Sequence, residues 1–72
     1  MKQKIEVVRL VDQYHSIIVN GNLLVRDSSL PLADSLAFCF RELGKVENIS
    51  ITTTSFDYYD NRDYEKYLDS KC

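Results

Sequence analysis

The dipeptide Asn20-Gly21 limits what this chain can fold into more than any other feature. Both residues tolerate the positive φ angles of a tight hairpin turn, and apolar, β-branched runs flank them at residues 14–19 and 23–26. Two antiparallel strands are expected on either side. The loop length then decides which side chains share a face. A two-residue loop pairs Val19 with Asn22, and a three-residue loop pairs Val19 with Leu23. The second gives the cleaner alternation. It puts His15, Ile17, Val19, Leu23 and Val25 on one face, and Tyr14, Ser16, Ile18, Leu24 and Arg26 on the other. Both faces keep apolar residues in either register.

The remaining punctuation frames the other elements. Residues 4–11 are rich in Val and Ile and read as a strand, followed by a short turn at Asp12-Gln13. Asp27, Ser28 and Ser29 are capping candidates, and Pro31 suits a first helical turn. A helix is expected from there to Leu43, stopped by Gly44. Leu32, Ala33, Leu36, Ala37, Cys39, Phe40 and Leu43 form its apolar stripe, with Asp34, Ser35, Arg41 and Glu42 opposite. Residues 46–56 read as a fourth strand, Ile49, Ile51 and Thr53 facing one way and Asn48, Ser50, Thr52 and Thr54 the other. From Asp60, a plausible N-cap, a short helix brings Tyr64, Tyr67 and Leu68 onto one face. The expected fold is α+β. A single antiparallel-type sheet in a β-β-β-α-β layout is packed by one main helix, with a short C-terminal helix added.

Seventy-two residues make one domain, 1–72, with a small core and a stability of roughly 4–11 kcal/mol. Cys39 lies in an apolar helical run and Cys72 at the chain end, so two free thiols of a reducing compartment are expected. Charged residues Glu6, Arg9 and Asp12 interrupt the first apolar stretch, which argues against a signal peptide. No run approaches the ~20 apolar residues of a membrane span. The chain reads as cytoplasmic, without membrane contact.

The net charge of −2 is unevenly placed. Residues 1–54 hold six bases and six acids. Residues 55–72 hold five acids (Asp57, Asp60, Asp63, Glu65, Asp69) against three bases, so the excess of two lies there. Without a basic stripe, direct nucleic-acid binding is disfavoured. Chemistry is equally sparse. His15 is the single histidine, and no Ser or Cys can be assigned to it as a nucleophile. No pair has zinc-ligand spacing, and Asp57, Asp60 and Asp63, three apart, do not match the alternating ligands of a calcium loop. The expectation is a non-enzymatic protein with no catalytic residue, no metal and no cofactor.

Three surface features remain. Phe38 projects into the polar side of the main helix, among Asp34, Arg41 and Glu42. The segment 56–67 interleaves Tyr58, Tyr59, Tyr64 and Tyr67 with acid, a mixture of contact area and electrostatic steering suited to a basic partner. The second sheet face needs the C-terminal helix, another subunit or a partner to cover it. The expected partner-binding residues are Phe38, Asp57, Tyr58, Tyr59, Asp60, Asp63 and Tyr64.

In size and character, with its β-meander around Asn20-Gly21, its helix at Leu32–Leu43 and its acidic tyrosine segment at residues 57–67, the chain resembles the small inhibitors of bacteriophages and mobile elements, such as anti-CRISPR proteins. The resemblance implies a protein that blocks nucleic-acid binding or conformational steps of a bacterial defence complex. Two other readings stand beside it: a structural or regulatory homodimer joined through the spare sheet face, and a nucleic-acid-binding module using Lys2, Lys4, Arg9 and Arg26.

Overall fold

A computed structural model describes residues 2–44 and 47–71. The elements run β1 (Gln3–Leu10), β2 (Tyr14–Val19), β3 (Asn22–Ser28), α1 (Leu32–Leu43), β4 (Ile49–Phe56), a 3-10 turn (Tyr58–Asp60) and α2 (Asn61–Asp69). Val46, in the expected fourth strand, and Cys72, the expected second thiol, lie outside the described residues.

The α+β class holds, with one four-stranded sheet and two helices. The sheet, however, is mixed. Its order is β3-β2-β1-β4, and β4 runs parallel to β1. The expected antiparallel-type sheet is corrected on this point, and the reason is the connection. β3 leaves one edge, and a helix-length crossover through α1 carries the chain past two strands. It then enters the far edge in the same direction as β1. β1 is thus central, which explains its apolar residues on both faces: Ile5 and Val7 on one, Val8 and Leu10 on the other.

The hairpin register is also corrected. Asn20 and Gly21 have φ of 52° and 85°, the double positive φ of a two-residue type I′ turn. Val19 therefore faces Asn22, and Ile18 faces Leu23. The register then shifts, so that Ile17 faces Val25 and His15 faces Ser28. Leu24 is the extra residue of a bulge, and Asp27, at φ 55°, lies in the second irregularity. Leu23 consequently packs with Ile18 rather than with Ile17 and Val19, while Val25 rejoins Ile17 as the alternation required.

Each face of the sheet receives one helix. α1 packs on β2 and β3, closing a core of Ile5, Ile17, Val19 and Cys39 with Val25, Leu36, Phe40, Leu43 and Ile49. α2 packs on β1 and β4, closing a core of Val8, Leu10, Ile18, Tyr64 and Leu68 with Tyr14, Leu23, Phe56 and Tyr67. The second sheet face is thus covered by α2. Within α1, Gly44 at φ 79° terminates the helix and donates to the Phe40 carbonyl, as a glycine stop should. Pro31 occupies the N-cap position, and among the described residues no side chain caps the N-terminus of either helix. The stripe on α1 is rotated from the expected one: Ser35 is buried, whereas Leu32, Ala33 and Ala37 are exposed. Among the described residues, no helix is long and apolar enough to cross a membrane.

Candidate partner-binding surface

The acidic tyrosine segment divides into an inner and an outer half. Phe56, the last residue of β4, packs edge-on against Tyr64 with ring centroids 6.1 Å apart, and lies 5.9 Å from Tyr67. Leu68 is fully buried one helical turn beyond Tyr64. These residues anchor both ends of a short connection. Between the anchors the chain makes a single 3-10 turn, closed by the Asp60 amide donating to the Asp57 carbonyl at 2.9 Å. Too short to fold back on the sheet, it turns its side chains outward. Tyr58 is 66% exposed and Tyr59 72%.

The inner half is a hydrogen-bonded lock. Tyr64 is fully buried, and its hydroxyl donates to Asp27 Oδ1 at 3.1 Å. It lies 2.6 Å from Ser16 Oγ, which accepts from the Asp27 amide at 3.0 Å. With Ser16 donating to Tyr64, the ring of three bonds closes, and it holds Asp27 in its left-handed conformation. Burial pushes the Tyr64 phenol well above the ordinary tyrosine range, and the nearby Asp27 carboxylate adds to the shift. On the next turn, the Tyr67 hydroxyl and Thr54 Oγ1 both donate to Glu6 Oε2. The Glu6 bond, then burial, raise the Tyr67 phenol. Outside this core Arg26 of β3 grips Glu65 at 2.5 Å and Asp69 at 2.9 Å. Two of the five acids in residues 55–72 are thereby committed to holding α2 on the sheet.

The outer half has no such commitment. The Tyr58 and Tyr59 rings meet edge-to-face at 5.3 Å and 78°, and the Tyr59 hydroxyl donates to Asp57 Oδ2 at 2.9 Å. That bond to a carboxylate raises the Tyr59 phenol. Asp57 and Asp63 are exposed and Asp60 is half-buried. Among the described residues none of the three makes an ion pair. Asp60 holds the N-cap position of α2 without a side-chain cap bond.

The structure therefore brings Asp57, Tyr58, Tyr59, Asp60 and Asp63 together at one surface. Tyr64 is removed from the expected set, because a ring at the centre of the core cannot also meet a partner. Phe38 is 42% exposed on the outer side of α1, as its helical position required. It lies across the sheet from α2 and does not join the acidic surface.

One constellation escaped the sequence. His15 Nε2 lies 2.8 Å from Ser35 Oγ, which lies 3.2 Å from Ser28 Oγ. The spacing matches that of a nucleophile and its base. Ser35, however, is only 4% exposed, so no substrate reaches its oxygen. Burial, and then Arg9, lower the His15 pKa and keep the ring neutral. The group pins α1 to β2 and β3. Nothing local signals it, because twenty residues separate the partners. Among the described residues no three His, Cys, Asp or Glu side chains converge as metal ligands. Comparison with protein-family models, with curated proteins and with solved structures finds no match.

Proposed function

We propose that this chain is a non-enzymatic protein-binding module that inhibits by occupying a basic surface of its partner, of the kind that nucleic-acid-handling complexes present. The observation that carries the reading is the exposed pair Tyr58–Tyr59 on a short turn, ringed by Asp57, Asp60 and Asp63, which no cation of the described chain neutralises. Two large rings facing water have no role in the core. Rigid aromatics with polar tips are the residues that dominate protein interfaces, and they lose little rotamer freedom on docking. The carboxylates around them favour encounter with cations and disfavour acidic competitors. Both anchors of the turn lie in the core, so the patch is organised before contact and loses less entropy on binding.

The test is capture from a lysate of the native host by the wild-type chain and by a triple variant, Asp57→Lys, Asp60→Lys and Asp63→Lys. Capture of one defined partner should disappear in the variant while its circular dichroism and denaturation midpoint stay those of the wild type. Equal capture by a folded variant would remove the acidic surface from the binding account.

A further inference from the structure

The two edges of the sheet are built differently. The β3 edge is bulged at Leu24 and irregular again near Asp27, and carries the charges of Arg26 and Asp27. Its Leu23 amide is taken by the Lys71 carbonyl at 3.4 Å. These are the devices by which proteins close an edge to further strands. The β4 edge has none of them. Residues Ile49–Phe56 keep an unbroken register with β1 and contain no charge, proline or glycine.

The backbone direction of β4 follows from its two ends. The Asn48 carbonyl accepts from Gln3 and the Phe56 carbonyl from Val11. Peptide groups alternate sides along a strand, so the even-numbered residues between them also face β1. Ile49, Ile51, Thr53 and Ser55 then point their N–H and C=O groups away from the sheet, and among the described residues nothing takes them.

We infer that this edge pairs antiparallel with the β4 of a second copy, about a two-fold axis through Thr52. Three observations select a second copy over a foreign strand. The outward residues are symmetric about Thr52, so Ile49 meets Ser55 of the second copy, Ile51 meets Thr53, and all four outward residues on each strand are bonded. The strand is uncharged, so copy meets copy without like-charge opposition. The β3 edge is closed, so the assembly stops at a dimer and does not grow into a fibre. Ile51, 49% exposed, gains Thr53 of the second copy as a neighbour. α1 lies over β2 and β3 and reaches β4 only near Ile49, and on the same side of the sheet Ile51, Thr53 and Ser55 are exposed. The surface is separate from the acidic patch. The antiparallel arrangement sets the two tyrosine pairs at opposite ends of the shared strands, roughly 30 Å apart.

Sedimentation of the full chain from about 10 μM to about 1 mM should show the mass doubling, since a small interface implies weak association. Thr53→Pro removes an outward donor and spares the β1 ladder. It should hold the chain monomeric at an unchanged denaturation midpoint. Register is read separately by cysteine pairs in a Cys72→Ser background. Thr52→Cys faces itself at a non-hydrogen-bonded site, roughly 4.5 Å between Cα atoms, and should cross-link on mild oxidation. Thr54→Cys faces Ser50 and lies roughly 14 Å from its own copy, so it should not. A monomer across the whole range, a Thr53→Pro chain that dimerises as well as wild type, or equal cross-linking of the two cysteine variants overturns the proposal. So does an edge that binds a foreign protein and never a second copy.

Discussion

Tyr58 and Tyr59 lie within nine residues of Tyr64 and Tyr67, in the same acidic stretch, yet the two pairs do opposite things. Tyr64 and Tyr67 sit at i and i+3 of α2 and turn into the sheet, where Asp27 and Glu6 accept from their hydroxyls and Ser16 donates to that of Tyr64. Tyr58 and Tyr59 sit on the turn that leads into that helix and face water. The acids divide the same way. Glu65 and Asp69 are spent on Arg26, while Asp57, Asp60 and Asp63 stay without an ion pair among the described residues. A single composition therefore ends in two settings, and geometry rather than residue type separates the side chains that hold the fold from those left at the surface.

The sharpest way to break this comparison is to truncate one tyrosine from each half. Tyr64→Ala removes a fully buried ring and should cost about 3–5 kcal/mol, a large part of the whole stability of a domain this size. Tyr58→Ala should leave the urea midpoint where it was. If the two variants unfold alike, the division is wrong. Tyr64→Phe keeps the ring and deletes the hydroxyl of the Ser16–Asp27 lock, for about 1–2 kcal/mol.

Alkaline pH sharpens the same contrast. The folded Tyr64 phenol is held above its unfolded value near 10 by burial, so its contribution is intact below that pH and is lost as pH rises through the higher folded value. Stability should fall above about pH 10, and Tyr64→Phe should make that limb shallower, with Tyr67 keeping its share, while Tyr59→Phe leaves it nearly unchanged because water screens that exposed ring. The smallest effect belongs to the surface. Asp57→Asn removes the carboxylate that holds the Tyr59 proton, so the Tyr59 ring should titrate at lower pH, read from its ring NMR signals, with no change in the unfolding midpoint.

Much of this fold is legible because local chemistry and global structure agree. Asn20-Gly21 demands a hairpin, and Gly44 stops α1. The spacing of Tyr64, Tyr67 and Leu68 marks the docking face of α2. What stayed hidden depends on contacts far apart in the chain. The direction of β4 is set by the crossover through α1, which no residue of β4 records. The two-residue turn looked worse than a three-residue one because the bulge at Leu24, which restores Val25 to the face of Ile17, has no sequence mark. Ser35 reads as solvent-facing because its partner, His15, lies on β2, twenty residues away in the chain. Alternating acid and tyrosine marks a segment from which a partner surface is expected, but cannot tell the buried Tyr64 from the exposed Tyr59. That distinction came from the helix boundary between them.

The central claim is that recognition belongs to the outer half and folding to the inner half. The most direct measurement follows both quantities, capture and urea midpoint, in Tyr58→Ala/Tyr59→Ala and in Tyr64→Phe under identical conditions. The double variant should lose capture at a wild-type midpoint, and Tyr64→Phe should keep capture at a lowered one. A double variant that still captures the partner, or a Tyr64→Phe chain that loses it while folded, would contradict the account.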